Sequence, residues 1–175
     1  FLGGPLKVGM NPVSAAEMYM FLLEPRAVPE WLHDADLPDK LSALMAPYGG
    51  VVAEVRAALG PDSRIVARPL ETITLDDPWH RDGVVLIGDA AHATTPQLAS
   101  GAGMAMEDGV VLGECLATAA DLQSALDAFM ARRYARCRLV VDSSLKLGQL
   151  ERSLSSPVEQ VTIVEHALER LNEPY

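Results

Sequence analysis

The chain has 175 residues, 49% of them hydrophobic and 22% charged, which is the size and composition of about one globular domain and excludes disorder as its resting state. Fourteen Lys and Arg against 24 Asp and Glu give a net charge of −10, which argues against nucleic acid or an anionic membrane surface as a partner, since both need a basic face. Apolar runs such as Val84–Ile87 are far too short to span a bilayer. Two cysteines, Cys115 and Cys137, lie in helical patterns; they do not form a disulfide framework, so a cytoplasmic location is expected.

The chain opens at Phe1, directly into strand-like sequence and without a signal-peptide pattern, and is expected to be a piece of a longer protein. Lys7–Met10 and Met18–Leu23 read as strands, separated by Asn11-Pro12 and Ser14–Glu17. Pro25–Leu37 reads as a loop. Asp39–Ala46 and Val51–Leu59 read as helices, the second stopped by Gly60-Pro61. Arg64–Ala67 and Glu71–Leu75 are β-rich, and Asp76-Asp77-Pro78 ends that run. Val84–Ile87 is apolar throughout and reads as a parallel strand buried on both faces. Three helices follow: Gly103–Ala119, Leu122–Lys146 with apolar residues every three or four positions, and Val158–Leu171 with Ser156 as a cap before Pro157.

Gly88–Asp108 carries the chemistry. It leaves the carboxyl end of a strand, where ligands of open α/β sheets bind. Asp89 there can accept hydrogen bonds from sugar or polyol hydroxyls. Ala90, Ala91 and Ala93 let something bulky approach the backbone, and Pro96 stiffens the loop. Gly101-Ala102-Gly103 opens a helix with almost no side chain, leaving bare N–H groups for an anion or an electron-rich oxygen.

Gly88-Asp89-Ala90-Ala91-His92 with Pro96, Gly101-Ala102-Gly103 and Glu107-Asp108 resembles the second flavin-binding motif of class A flavoprotein monooxygenases, most closely the salicylate- and urate-hydroxylase-like members. The resemblance is strong over Trp79–Leu116 and looser over Phe1–Leu75. It implies an α/β fold: the C-terminal part of a Rossmann-type FAD-binding fold, with substrate-domain strands at the start and helices at the end. The implied divisions are 1–75 (remnant of the substrate domain), 76–119 (second flavin-binding segment) and 120–175 (C-terminal helices). Asp89, after Gly88, would hold the ribityl chain. Pro96 would lie beside the reactive edge of the isoalloxazine, and Gly101, Ala102, Gly103 and Met104 would present backbone to its pyrimidine end. Tyr19 matches a substrate-facing tyrosine. The implied cofactors are FAD, with NADH or NADPH as reductant, and the implied reaction is hydroxylation of a small aromatic or heteroaromatic substrate with O₂. No individual catalytic residue is assigned.

Two departures qualify the match. Many members have Gly-Gln-Gly where this chain has Ala99-Ser100-Gly101. The family's Gly-x-Gly-x-x-Gly fingerprint, which binds the ADP part of FAD, does not occur in this sequence. The chain therefore reads as the C-terminal portion of such an enzyme, partnered by the missing N-terminal part and inactive alone. The alternatives are a flavin-dependent reductase or halogenase of the same superfamily, or a non-catalytic helical interaction module with exposed apolar stripes on its last two helices and no crevice.

Other residues have plainer readings. His92 is structural, and a metal site built from Asp89, His92, Glu107 and Asp108 is disfavoured because their spacing is wrong for zinc. Glu107 and Asp108 offset the helix dipole and serve packing, and Cys115 and Cys137 are small core residues. Trp79 packs the joint before Val84. Gly109 and Gly113 mark close packing against the sheet. Arg132, Arg133, Arg136 and Arg138 form a solvated or salt-bridged helix face. Tyr19 is as readily a core residue as a substrate contact.

Overall fold

The computed structural model describes residues 6–26, 32–76, 78–153 and 157–175. The Ser156 cap, and Asp77 within the Asp76–Pro78 break, lie outside them. The chain divides into two compact units, Phe1–Pro69 and Leu70–Tyr175.

In the first unit, β1 (Lys7–Pro12) and β2 (Met18–Leu23) form an antiparallel hairpin with Val8 opposite Leu22, Gly9 opposite Phe21 and Met10 opposite Met20. Side chains alternate across the pleat. Val8, Met10, Met20 and Leu22 pack on Met45 of α1 (Leu37–Met45) and Val52 of α2 (Gly50–Ala57). On the opposite face the Phe21 ring lies over Gly9, where any side chain would collide with it. Tyr48 ties the helices to the chain entering β1: Leu6 N–H donates to the Tyr48 hydroxyl, which donates back to the Leu6 carbonyl, both at 2.7 Å. The helix α2 ends before the predicted Gly60 stop, with Ala58 in the α region as its cap.

The second unit is mostly helical. Its first residues, 70–75, run without ladder pairing, although Ile73 and Leu75 N–H donate to the carbonyls of Ala93 and Ala91. The parallel strand expected at Val84–Ile87 is instead the return strand of a small antiparallel hairpin, β3 (His80–Arg81) with β4 (Val84–Val85). Its two-residue turn is Asp82-Gly83, with φ of 52° and 80°, the positive pair that a mirror-image tight turn requires. With only one neighbouring strand among the described residues, Val84 is 64% exposed and Leu86 and Ile87 are also exposed. Among the described residues the sheets are two antiparallel pairs, and none of their strands is parallel.

The unit's core lies where α4 (Gly101–Thr118) meets α5 (Leu122–Arg152). Met104, Val111 and Cys115 from α4 pack with Phe129, Cys137 and Val140 from α5 around Trp79. Trp79, 1% exposed, stacks on His92, Phe129 and Tyr134 at 5.1, 6.2 and 5.9 Å between ring centres. Asp121 caps α5 by accepting Ser124 N–H at 2.8 Å. The last helix, α6 (Pro157–Leu171), buries Ala167 and leaves Val158, Val161 and Leu168 exposed. The close packing expected at Gly109 and Gly113 is absent: both are exposed, and a Cβ at either would meet nothing within 4 Å. No helix among the described residues is long and apolar enough to cross a membrane.

Candidate functional site

The site is a turn, a loop and a helix start. Gly88 adopts φ 58°, ψ −140°, a combination that side chains oppose. A Cβ there would also lie 3.0 Å from that of Ala105 on α4, so glycine is required both for the turn and for the approach. The four-residue helix α3 (Asp89–His92) follows, with Ala91 and His92 N–H both donating to the Gly88 carbonyl at 2.9 Å. Ala91 and His92 face the core, while Asp89 faces out. Pro96–Leu98 make one tight 3-10 turn, and Ala99 then takes a left-handed conformation, φ 52°. Gly101 begins α4 so close to Thr94 that a Cβ would sit 3.0 Å from its methyl group.

These segments enclose an open groove of about 610 Å³, lined among others by Gly88, Asp89, Thr95, Pro96, Gly101 and Ala102. Five of the residues singled out from sequence therefore come together. Gly103 and Met104 are not in the lining; Met104 is buried, and its carbonyl accepts a hydrogen bond from Arg133 Nη2 at 3.1 Å. Tyr19 lies in the first unit. Its ring is 53% exposed, so it is not a core residue, and its hydroxyl accepts from Asn11 Nδ2 at 2.9 Å.

Three features make the groove a polar receptor with small-residue walls. The Asp89 carboxylate is exposed and has no hydrogen-bond partner among the described residues. The Thr95 hydroxyl is buried and without a partner. Ser100 places no side-chain cap on α4, its hydroxyl donating instead to the Leu98 carbonyl at 2.9 Å, and the first turn holds no acidic residue. The partial positive charge of that helix end is therefore offset by no local side chain.

Behind the groove lies a buried charge cluster. Asp108 Oδ2 accepts Gly88 N–H at 2.8 Å and meets His92 Nε2 at 2.6 Å, while Oδ1 accepts Arg133 Nε at 2.7 Å. Burial pushes the Asp108 carboxyl up, but the hydrogen bonds from His92, Gly88 and Arg133 outweigh it and hold the group below the usual aspartate range. An ionised carboxylate only accepts, so His92 Nε2 carries the proton. Glu107 binds Arg133 Nη1 at 2.6 Å and Arg136 Nε at 2.8 Å, and these bonds likewise prevail over burial and keep it below the glutamate range. Arg136 reaches on to the Leu171 carbonyl at the end of α6, at 2.6 Å.

Of the two readings of the arginine face, the salt-bridged one holds, and Arg133 forms its pairs at 0% exposure. Glu107 and Asp108 do more than offset a dipole, for together they neutralise the buried guanidinium. The sequence signal was present. Asp108 falls in the apolar stripe Met104, Val111, Cys115, and Arg133 falls between Phe129 and Cys137; opposite charges on two buried stripes predict that they meet. His92, Asp108 and Cys137 bring potential ligand atoms within 4.8 Å of one another. Arg133 already supplies their positive charge, with Nη2 3.5 Å from the Cys137 sulfur, and burial pushes that thiol up to about 12, so no thiolate forms at neutral pH.

Residues 67–144 match the family model described as FAD binding domain. The chain is 37% identical over 145 residues to an FAD-dependent urate hydroxylase of Klebsiella pneumoniae, covering 81% of this chain and 36% of the relative. It is 35% identical over 148 residues to 2-heptyl-3-hydroxy-4(1H)-quinolone synthase of Pseudomonas aeruginosa, covering 82% and 38%. The crystal structure of Klebsiella pneumoniae HpxO complexed with FAD and uric acid superposes with a TM-score of 0.72 at 30% identity, over 97% of this chain and 44% of that one. The chain thus spans about two fifths of the length of the curated relatives it matches. The matched segment includes every residue of the groove, together with Asp108 and Arg133 of the charge cluster.

Proposed function

We propose that this chain is the part of an FAD-dependent monooxygenase that holds the ribityl chain and ring of the flavin, and that the whole enzyme hydroxylates a small heteroaromatic substrate with NADH or NADPH and O₂. The observation that carries the reading is the groove, which gathers Gly88, Asp89, Pro96, Gly101 and Ala102 inside the segment that matches the FAD binding domain. Its donor set suits that cofactor. Asp89 offers an unpartnered acceptor for ribityl hydroxyls, and the uncapped start of α4 offers N–H groups to the electron-rich pyrimidine edge. Gly101 and Ala102 would present backbone there and Pro96 would wall the ring's reactive edge, while Gly103 and Met104, outside the lining, would support the helix start from behind. Bound flavin supplies the redox chemistry, taking electrons from the nicotinamide and activating O₂. The heteroaromatic class is supported by the relatives, named for urate and a quinolone. Residues 1–75 belong to the substrate domain in this reading, with Tyr19 as a substrate contact, while 76–119 hold the flavin and 120–175 buttress it. The location is cytoplasmic.

Asp89 tests the reading. Removing its charge-assisted hydrogen bond costs on the order of 1.5–3 kcal/mol, or roughly ten- to a hundredfold in affinity. Asp89→Ala should lose flavin while keeping the far-UV circular dichroism and melting temperature of the parent. Full flavin occupancy in the variant would rule out the ribityl role. The exposed Val158, Val161 and Leu168 of α6 are what a helical interaction module would also show. A protein that purifies colourless and stays so after incubation with FAD would favour that second reading.

A further inference from the structure

The geometry points to Asp108 and Arg133 as positioning residues that set the Gly88–Asp89 turn for the cofactor, an inference that rests on the flavin reading of the groove. Neither residue touches the groove, and both are 0% exposed. Asp108 Oδ2 nevertheless grips the turn at two points, Gly88 N–H at 2.8 Å and His92 Nε2 at 2.6 Å. These are the residue before α3 and its last residue, so one oxygen fixes both ends of the segment that presents Asp89. Gly88 holds φ 58°, ψ −140°, one of the many settings open to a glycine, so an outside contact is what selects it. Arg133 in turn fixes the carboxylate: Nε holds Oδ1 at 2.7 Å, Nη1 holds Glu107 at 2.6 Å and Nη2 holds the Met104 carbonyl at 3.1 Å. Three of its nitrogens are thereby anchored on α4, which begins at the other side of the groove.

Energetics favour a positioning role over a purely stabilising one. A buried ion pair gains little over well-packed apolar residues of the same volume, because both charges must be stripped of water. What an apolar pair could not do is accept the Gly88 N–H and the His92 proton together. Asp89 has no partner of its own among the described residues, so the place of its carboxylate is inherited from the Gly88 backbone.

The test uses the FAD-bearing protein and its apo form, with four variants: Asp108→Asn, Asp89→Ala, their combination and His92→Gln. Asp108→Asn should speed hydrogen exchange at the Gly88 amide by about tenfold or more and weaken FAD binding by about tenfold, with exchange along α5 unchanged. Asp89→Ala should weaken FAD and leave Gly88 exchange as it was. In the double variant, Asp108→Asn should add less than about twofold, because its effect passes through Asp89. A full Asp108 penalty in the Asp89→Ala background, or unchanged Gly88 exchange in Asp108→Asn, overturns the positioning role. So does a uniform rise in exchange through α4 and α5, which would mark a merely structural pair. If Asp108→Asn does not fold, His92→Gln leaves the Asp108–Arg133 pair intact. It should still speed Gly88 exchange and weaken FAD about threefold, and no change in either overturns the proposal. Full FAD occupancy in Asp89→Ala, with Gly88 exchange still raised by Asp108→Asn, would instead fault the flavin reading and leave the turn without a ligand to serve.

Discussion

Ala99 is the residue at which this loop is strained. It holds φ 52°, a left-handed setting that costs a residue with a Cβ roughly 1–2 kcal/mol. The family motif that this segment resembles has Gly-Gln-Gly where this chain has Ala99-Ser100-Gly101, and a left-handed residue is one that glycine adopts without strain. Ala99→Gly should relieve the strain, while glycine's extra freedom in the unfolded chain returns roughly 0.5–1 kcal/mol of the gain. The expected net is a stabilisation of up to about 1 kcal/mol, read as a small rise in melting temperature with the groove unchanged. A lowered melting temperature would show that Ala99 is not left-handed in solution.

At the scale of elements, the junction of α4 and α5 carries a pH dependence whose sign is fixed. Glu107 is held below its ordinary range of about 4.5 by Arg133 and Arg136, and Asp108 below 3.8 by His92, Gly88 and Arg133. Lowered carboxyl values mean that the folded state binds protons less readily than the unfolded one. Their stabilisation is complete above the unfolded values and is lost as pH falls through the folded ones. Chemical denaturation from pH 7 to 3 should show a plateau above about pH 5 and a decline below it. Glu107→Gln should lower the plateau by about 2 kcal/mol, since two arginines lose a charged partner, and should flatten the acid decline. An acid limb of unchanged slope in that variant would assign the decline to other carboxylates.

The same junction shows what could be read in the sequence. Helix existence followed directly from periodicity: Leu122, Leu126, Met130, Tyr134, Cys137 and Val141 recur every three or four positions, and all but the exposed Leu122 face the core or its margin. The groove's main residues were legible because glycine, proline and a carboxylate are irreplaceable where backbone must bend or approach. The strand at Val84–Ile87 was misjudged because four apolar residues fit a buried parallel strand and an exposed hairpin arm equally well. The Asp82-Gly83 turn was the discriminating signal. The charge cluster left a weaker signal: Asp108 and Arg133 each interrupt an apolar stripe, but that they pair with each other, 25 positions apart, is set by the packing of α4 on α5. In α6 the period of Val158, Val161 and Leu168 was read correctly, but periodicity does not reveal which side is covered.

At the scale of the whole molecule, binding strength should follow how much of the cofactor these 175 residues can hold. The groove is open, and in the proposed reading its lining serves only a ribityl chain and a ring edge. The outer side of α4 is uncovered among the described residues, with Met106 68% exposed, Val110 and Leu116 about half exposed, and Gly109 and Gly113 facing open space. No Gly-x-Gly-x-x-Gly occurs anywhere in the sequence to receive a pyrophosphate on a helix start. FAD should therefore bind the isolated chain no tighter than about 10 μM, since the adenosine and pyrophosphate contribute size and charge without finding partners. Quenching of flavin fluorescence on titration measures this directly, and Asp89→Ala provides the control. A dissociation constant weakened further by Asp89→Ala places the residual binding in the groove. Submicromolar binding by these 175 residues alone would mean that they form a complete flavin site, and that the assignment of the groove to only the ribityl and ring portion is wrong.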